Sequence, residues 1–134
     1  MTQTIEQAAA VLQNVNAAEK DRVKAAHVLG KSGSENAAEL LVMALDDDDY
    51  GVHWAASEGL AQLGDAALPA LLKALVKPDC SSRVLEGAKH TFHTSTSQNV
   101  LTETKEILRT IHGSTLDYPT MKAASDLMVK LSIT

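Results

Sequence analysis

A short apolar pattern recurs four times along this chain, and that recurrence limits the fold more than any other feature. Residues 52–64 read Val-His-Trp-Ala-Ala-Ser-Glu-Gly-Leu-Ala-Gln-Leu-Gly. Thirty-one residues earlier, Ala25, Leu29 and Gly33 stand where that segment has Ala56, Leu60 and Gly64. Thirty-two residues later, Val84, Ala88 and Phe92 replace Val52, Ala56 and Leu60. At an offset of 68, Ala123-Ala124-Ser125-Asp126 echoes Ala55-Ala56-Ser57-Glu58, with Met128 and Leu131 at the Leu60 and Leu63 positions. The matched residues fall three and four apart, the period of an α-helix with one apolar face. Between these A segments lie B segments, Ala37 to Leu45, Leu68 to Leu75 and Val100 to Ile111. A repeat of this length cannot bury its apolar face alone, so neighbouring copies must stack.

The punctuation agrees with helix pairs. Gly33-Ser34 and Gly64-Asp65 place Gly where an A helix ends and a capping side chain where a B helix begins. Asn16 with Glu19 reads as a capping pair for the first A helix, and Asp117 with Pro119 as the start of the last. Ile5, Ala8, Ala9 and Leu12 mark an N-terminal capping helix. With 45% hydrophobic residues but only 3% aromatic, the core has to be Ala, Leu, Val and Met, which favours closely packed helices.

The Val-x-x-Ala-Ala-x-x-x-Leu pattern, followed by Gly64-Asp65, resembles the HEAT-like repeats of the phycobilisome-lyase type, with Val52 to Leu75 the strongest match. The resemblance runs from Asp21 to Leu131. It implies an all-α, HEAT-like α-solenoid, an α-α superhelix of about eight helices in three to four repeats. The expected divisions are a capping helix in residues 1–15, repeats at 17–45, 49–76 and 81–112, and a half repeat at 117–132, forming one domain over 1–134.

Reading equivalent positions as columns across stacked A helices yields candidate surface residues. One column is Val23, Trp54, Glu86 and Lys122; the next is His27, Glu58, His90 and Asp126. A helical wheel puts Trp54, Ser57, Glu58 and Ala61 opposite the apolar stripe. Trp is enriched at binding hot spots, and this is the chain's one Trp. His53, Trp54, Glu58, Glu86, His90 and Lys122 are therefore the candidate protein-binding residues. The His and carboxylate column could form pH-sensitive pairs, and Glu86, His90 and His93 share a helical face, but zinc needs three or four ligands converging on one point.

Other chemistries lack their residues. Deoxyhypusine hydroxylases build an iron site on the same repeat from His-Glu pairs; the matching positions here are Val23-Lys24, Trp54-Ala55, Glu86-Gly87 and Lys122-Ala123. Asp46 to Gly51 starts like a calcium loop, yet position twelve is Ser57 instead of Glu, and Asp before a helix serves as its cap. Cys80 is a loop cysteine with no neighbouring base in sequence, and one cysteine makes no internal disulfide. The net charge of −5 with scattered Lys and Arg argues against nucleic acid. No apolar run suits a membrane span or a secretory signal, so the expected location is cytoplasmic.

The sequence thus points to a non-enzymatic interaction or scaffold module that binds another protein and needs no cofactor. The resemblance also implies an alternative, a bilin-lyase-like or phycobilisome-associated chromophore-handling subunit. A monomer or weak homodimer is expected. Self-association would use Ala8 to Leu12 at one end, or Met121, Leu127, Met128 and Leu131 at the other.

Overall fold

The computed structural model describes residues 3–134; Met1 and Thr2, part of the expected capping segment, lie outside the described residues. Nine α-helical segments follow one another without a strand among those residues. They are α1 (Ile5–Gln13), α2 (Glu19–Lys31), α3 (Glu35–Ala44), α4 (Tyr50–Leu63), α5 (Leu68–Leu75), α6 (Ser82–Thr94), α7 (Gln98–Glu103), α8 (Lys105–Thr110) and α9 (Tyr118–Lys130), with a 3₁₀ turn at Gly64–Ala67. The α7 and α8 segments are one B helix broken at Thr104, whose buried hydroxyl bonds back to the Val100 carbonyl at 2.7 Å. Such back-bonding loosens and bends a helix.

Most helix starts are chemically marked. The Thr4 hydroxyl accepts from the Gln7 N–H while the Gln7 side chain accepts from Thr4, a reciprocal cap. Ser34, Asp49, Ser81, Ser97 and Asp117 each accept first-turn N–H groups that have no partner within their helix. Two expectations need correction. Asn16 does not cap α2: residues 14–17 form a turn in which the Asn16 N–H donates to Asn14 Oδ1, and the helix starts after Ala18 without a side-chain cap. Asp65 does not cap α5, because the 3₁₀ turn intervenes and α5 starts at Leu68 with Pro69 in its first turn. Asp65 instead accepts from Ser97 Oγ at 2.6 Å and Asn99 Nδ2 at 3.2 Å, clamping one repeat to the next.

The A helices α2, α4 and α6 lie side by side, α3 and α5 form the second layer, and α1 covers the first pair. Ala25, Ala26 and Leu29, then Val52, Ala56 and Leu60, then Ala88 and Phe92 bury one shared stripe against Leu41, Leu45, Leu71, Leu72 and Leu75. Close approach of α2 and α4 depends on glycine: a Cβ on Gly30 would stand 2.7 Å from Gly59 Cα. Gly33 and Gly64, at φ of 71° and 60°, reverse the chain where each A helix ends.

The last helix departs from the expected order. In place of extending the A layer beyond α6, α9 packs on α5 and α8 and buries Ala124 and Leu127 there. The reason lies on α6, where Arg83, Glu86, Lys89 and His93 are exposed and leave no apolar stripe for another A helix. A polar outer face is how stacked repeats end.

Candidate functional site

The run Asp46 to Asp49 positions the site by dividing its labour. Asp49 Oδ1 accepts the Gly51 and Val52 N–H groups at 2.9 and 3.3 Å and starts α4. Asp47 pairs with Arg22, Asp48 with Arg83, and Asp46 accepts from Ser81 Oγ at 2.6 Å. The calcium-loop comparison ends there, since these carboxylates are spent on α2, α4 and α6.

From that cap, α4 places Tyr50, Trp54 and Glu58 four residues apart on one face. Trp54 is half-buried, while Tyr50 is 58% exposed and Glu58 is exposed. The indole meets the His90 ring of α6 edge to face, with centroids 4.9 Å apart and planes at 78°. It meets His53 similarly at 5.0 Å and lies tilted beside Tyr50 at 6.1 Å. The Tyr50 hydroxyl donates to Glu86 Oε1 at 3.3 Å, tying α4 to α6 at the rim. Next to this cluster, His27, Lys31, Glu58, Gln62, His90 and Thr96 border a shallow depression of about 430 Å³.

The A helices α2, α4 and α6 lie in one layer, and a known family shares this arrangement. Residues 5–90 match HEAT repeats, well over half of the chain. The chain is a HEAT-repeat protein. No curated protein matches it significantly. HEAT repeats commonly mediate contacts between proteins and generally act as scaffolds without catalysis of their own. The match spans α1 to α6, and it stops before the broken B helix and displaced α9 begin.

Within this HEAT surface the candidate residues divide. Trp54, Glu58, Glu86 and His90 come together on α4 and α6. His53 does not share their exposure: it is 2% exposed, and its Nδ1 donates to the Leu45 carbonyl at 2.7 Å, bracing α4 on α3. Its Nε2 is buried without a hydrogen-bond partner. Lys122 leaves the column altogether, because α9 lies in the other layer. There its ammonium bonds Asp126 at 2.8 Å, which holds the amine above its ordinary range. Asp126 is likewise separated from His27, Glu58 and His90. Those three border one depression, but no three His, Cys, Asp or Glu among the described residues gather as metal donors.

The wheel also misplaced Ser57 and Ala61, which are buried. Ser57 Oγ donates to the Gly87 carbonyl at 3.1 Å, and Thr91 Oγ1 reaches the Ser57 and Gly87 carbonyls at 3.2 and 2.9 Å, so this strip is the α4–α6 seam. The Ala61 carbonyl accepts from the Thr96 N–H at 3.0 Å as the α6–α7 loop closes over it. Tyr50 is the residue the sequence reading missed. Its signal was the four-residue spacing to Trp54, hidden by its place at the end of the Asp run.

Elsewhere the surface offers little chemistry. An open trough of about 740 Å³ lies between α1 and α2, with Val11, Ala17 and Val28 beside Asp21 and Lys24. Cys80 is half-buried; burial, then Asp79 and Asp46, push its thiol up, opposite to what a nucleophile needs. No helix among the described residues is long and apolar enough to cross a membrane.

Proposed function

We propose that this HEAT-repeat chain is a non-enzymatic protein-interaction module whose contact surface is the α4–α6 face centred on Trp54. One observation carries the reading: the chain's one Trp stays half-buried at the surface, fixed between His53, His90 and Tyr50 but not sunk in the core. A rigid aromatic held at the surface supplies contact area at small entropic cost, and such residues dominate binding hot spots. Glu58, Glu86 and His90 supply a polar rim around it. The outer face of α6 is polar, which supports lateral binding over further stacking there.

The test is affinity capture from the native host with three baits: wild type, Trp54→Ala, and Met43→Ala on the opposite layer, where Met43 is 68% exposed. The reading expects a partner retained by wild type and Met43→Ala and lost by Trp54→Ala. A folded Trp54→Ala protein that keeps every partner removes this face from the account.

A further inference from the structure

The groups left unmatched around Trp54 share one chemical character. Glu58 makes no ion pair or hydrogen bond among the described residues, and Glu86 has only the 3.3 Å bond from Tyr50. Beneath them the His53 ring donates from Nδ1 to the Leu45 carbonyl, and its Nε2 is buried without a partner and out of reach of a surface ligand. It lies within the ring cluster, 5.3 Å by centroids from Tyr50 and 5.0 Å from Trp54. Aromatic faces add negative quadrupole to these acceptors. Of the cations nearby, Arg83 pairs with Asp48, Lys89 lies one turn from Glu86 on α6 but forms no ion pair with it, and Lys31 stands at the far border of the depression beside His27.

We infer that the Tyr50–Trp54–Glu86 corner receives an arginine side chain from a segment of the partner. A guanidinium is planar, stacks on aromatic rings and carries five donors in a fixed fork, so one group can lie on the indole and donate to Glu86 together. The ammonium of lysine, a point charge, matches only part of this arrangement. The chain's net charge of −5 favours the approach of such a segment. The inference rests on the Trp54 face being the contact surface, and the experiment separates the two.

A random linear-peptide library displayed on phage is selected on the full chain. Winners are then counter-screened against Trp54→Ala and against Tyr50→Ala, whose ring is exposed enough for the fold to survive its loss. The expected result is a set of peptides that require both rings and share an arginine at one position. As synthetic peptides they should quench or shift the fluorescence of Trp54, weaken as salt rises, and lose about tenfold in affinity with Glu86→Gln or on replacing that arginine by citrulline. Peptides that require the rings but share an acidic or apolar residue overturn the arginine assignment and leave the contact surface standing. Selections that yield only peptides indifferent to Trp54 and Tyr50, or none, overturn both.

Discussion

Arg22 and Asp47 form a largely buried ion pair that holds three elements at one point. The guanidinium donates to the Asp47 carboxylate, and its Nε and Nη2 also donate to the Leu12 carbonyl at 3.0 and 2.9 Å. The capping helix α1, the A helix α2 and the loop before α4 are joined through this one side chain. Such a residue is stabilising because of everything it would leave unpaired, more than for its charge alone.

Replacing Arg22 by Ala should therefore cost on the order of 3 kcal/mol, the loss expected when one member of a buried pair is removed. Urea unfolding at neutral pH measures it. Amide hydrogen exchange should show α1 opening first, because the Leu12 carbonyl would lose both side-chain donors.

Acid should weaken the same contact. Burial pushes the Asp47 carboxyl up, but the Arg22 hydrogen bond, the Asp49 N–H and the charges of Arg22 and Arg83 outweigh it and hold the group below the usual carboxylate range. A depressed folded value means stability that is complete above the unfolded aspartate value, about 3.9, and lost as pH falls through the folded one. Midpoints measured downward from pH 6 should fall for the wild type and fall less steeply for Asp47→Asn.

Glu19 carries the opposite sign. Its carboxyl faces Asp49 over the first turn of α4, where a Cβ on Gly51 would come within 2.5 Å of it. The hydrogen bond and charge of Asp49, then slight burial, raise its value. The protonated form's advantage is complete below the ordinary glutamate range and disappears as pH rises through the raised value. Glu19→Gln keeps the hydrogen bond without the repulsion, so its midpoint should equal or exceed that of the wild type at pH 7, the two converging near pH 4. A midpoint lower than wild type at pH 7 would show the carboxylate to be stabilising.

At the α2–α4 crossing, Gly30→Ala should lower stability although Ala is the better helix former. The added methyl meets Gly59 backbone at 2.7 and 3.1 Å, so the helices have to separate. Overpacking of this kind costs about 1–3 kcal/mol, against about 1 kcal/mol gained in propensity. The thermal midpoint should drop, and an unchanged or raised midpoint would mean that the stack yields there freely.

Thr91→Val tests the α4–α6 seam. The variant keeps the shape and deletes the hydroxyl that reaches the Ser57 and Gly87 carbonyls, so a loss of about 1 kcal/mol is expected. Ser57 Oγ retains the Gly87 carbonyl as its acceptor, which is why the effect should stay small.

The all-helical stack and the side-by-side packing of α2, α4 and α6 were legible in the residues. Ala56, Leu60 and their counterparts recur at a period that only a helix turns into one face, and such faces are buried only by neighbours. Asp49, Ser34 and Gly33 marked ends because capping and chain reversal depend on a few adjacent atoms. What the wheel missed involved two helices at once. An A helix within a stack has a neighbour on each flank as well as beneath, so its buried arc is wider than its apolar stripe and takes in Ser57, Ala61 and His53. The placement of α9 was decided in the same way. The fourth copy of the pattern specifies a helix with an apolar face, but α6 presents only polar residues outward, and the face of α9 found its burial on α5 and α8 instead. That choice removed Lys122 from the site, while packing of α4 on α6 brought His90 to Trp54 and Tyr50 to Glu86. Periodicity fixes what a segment must bury; only the packed chain decides against which surface.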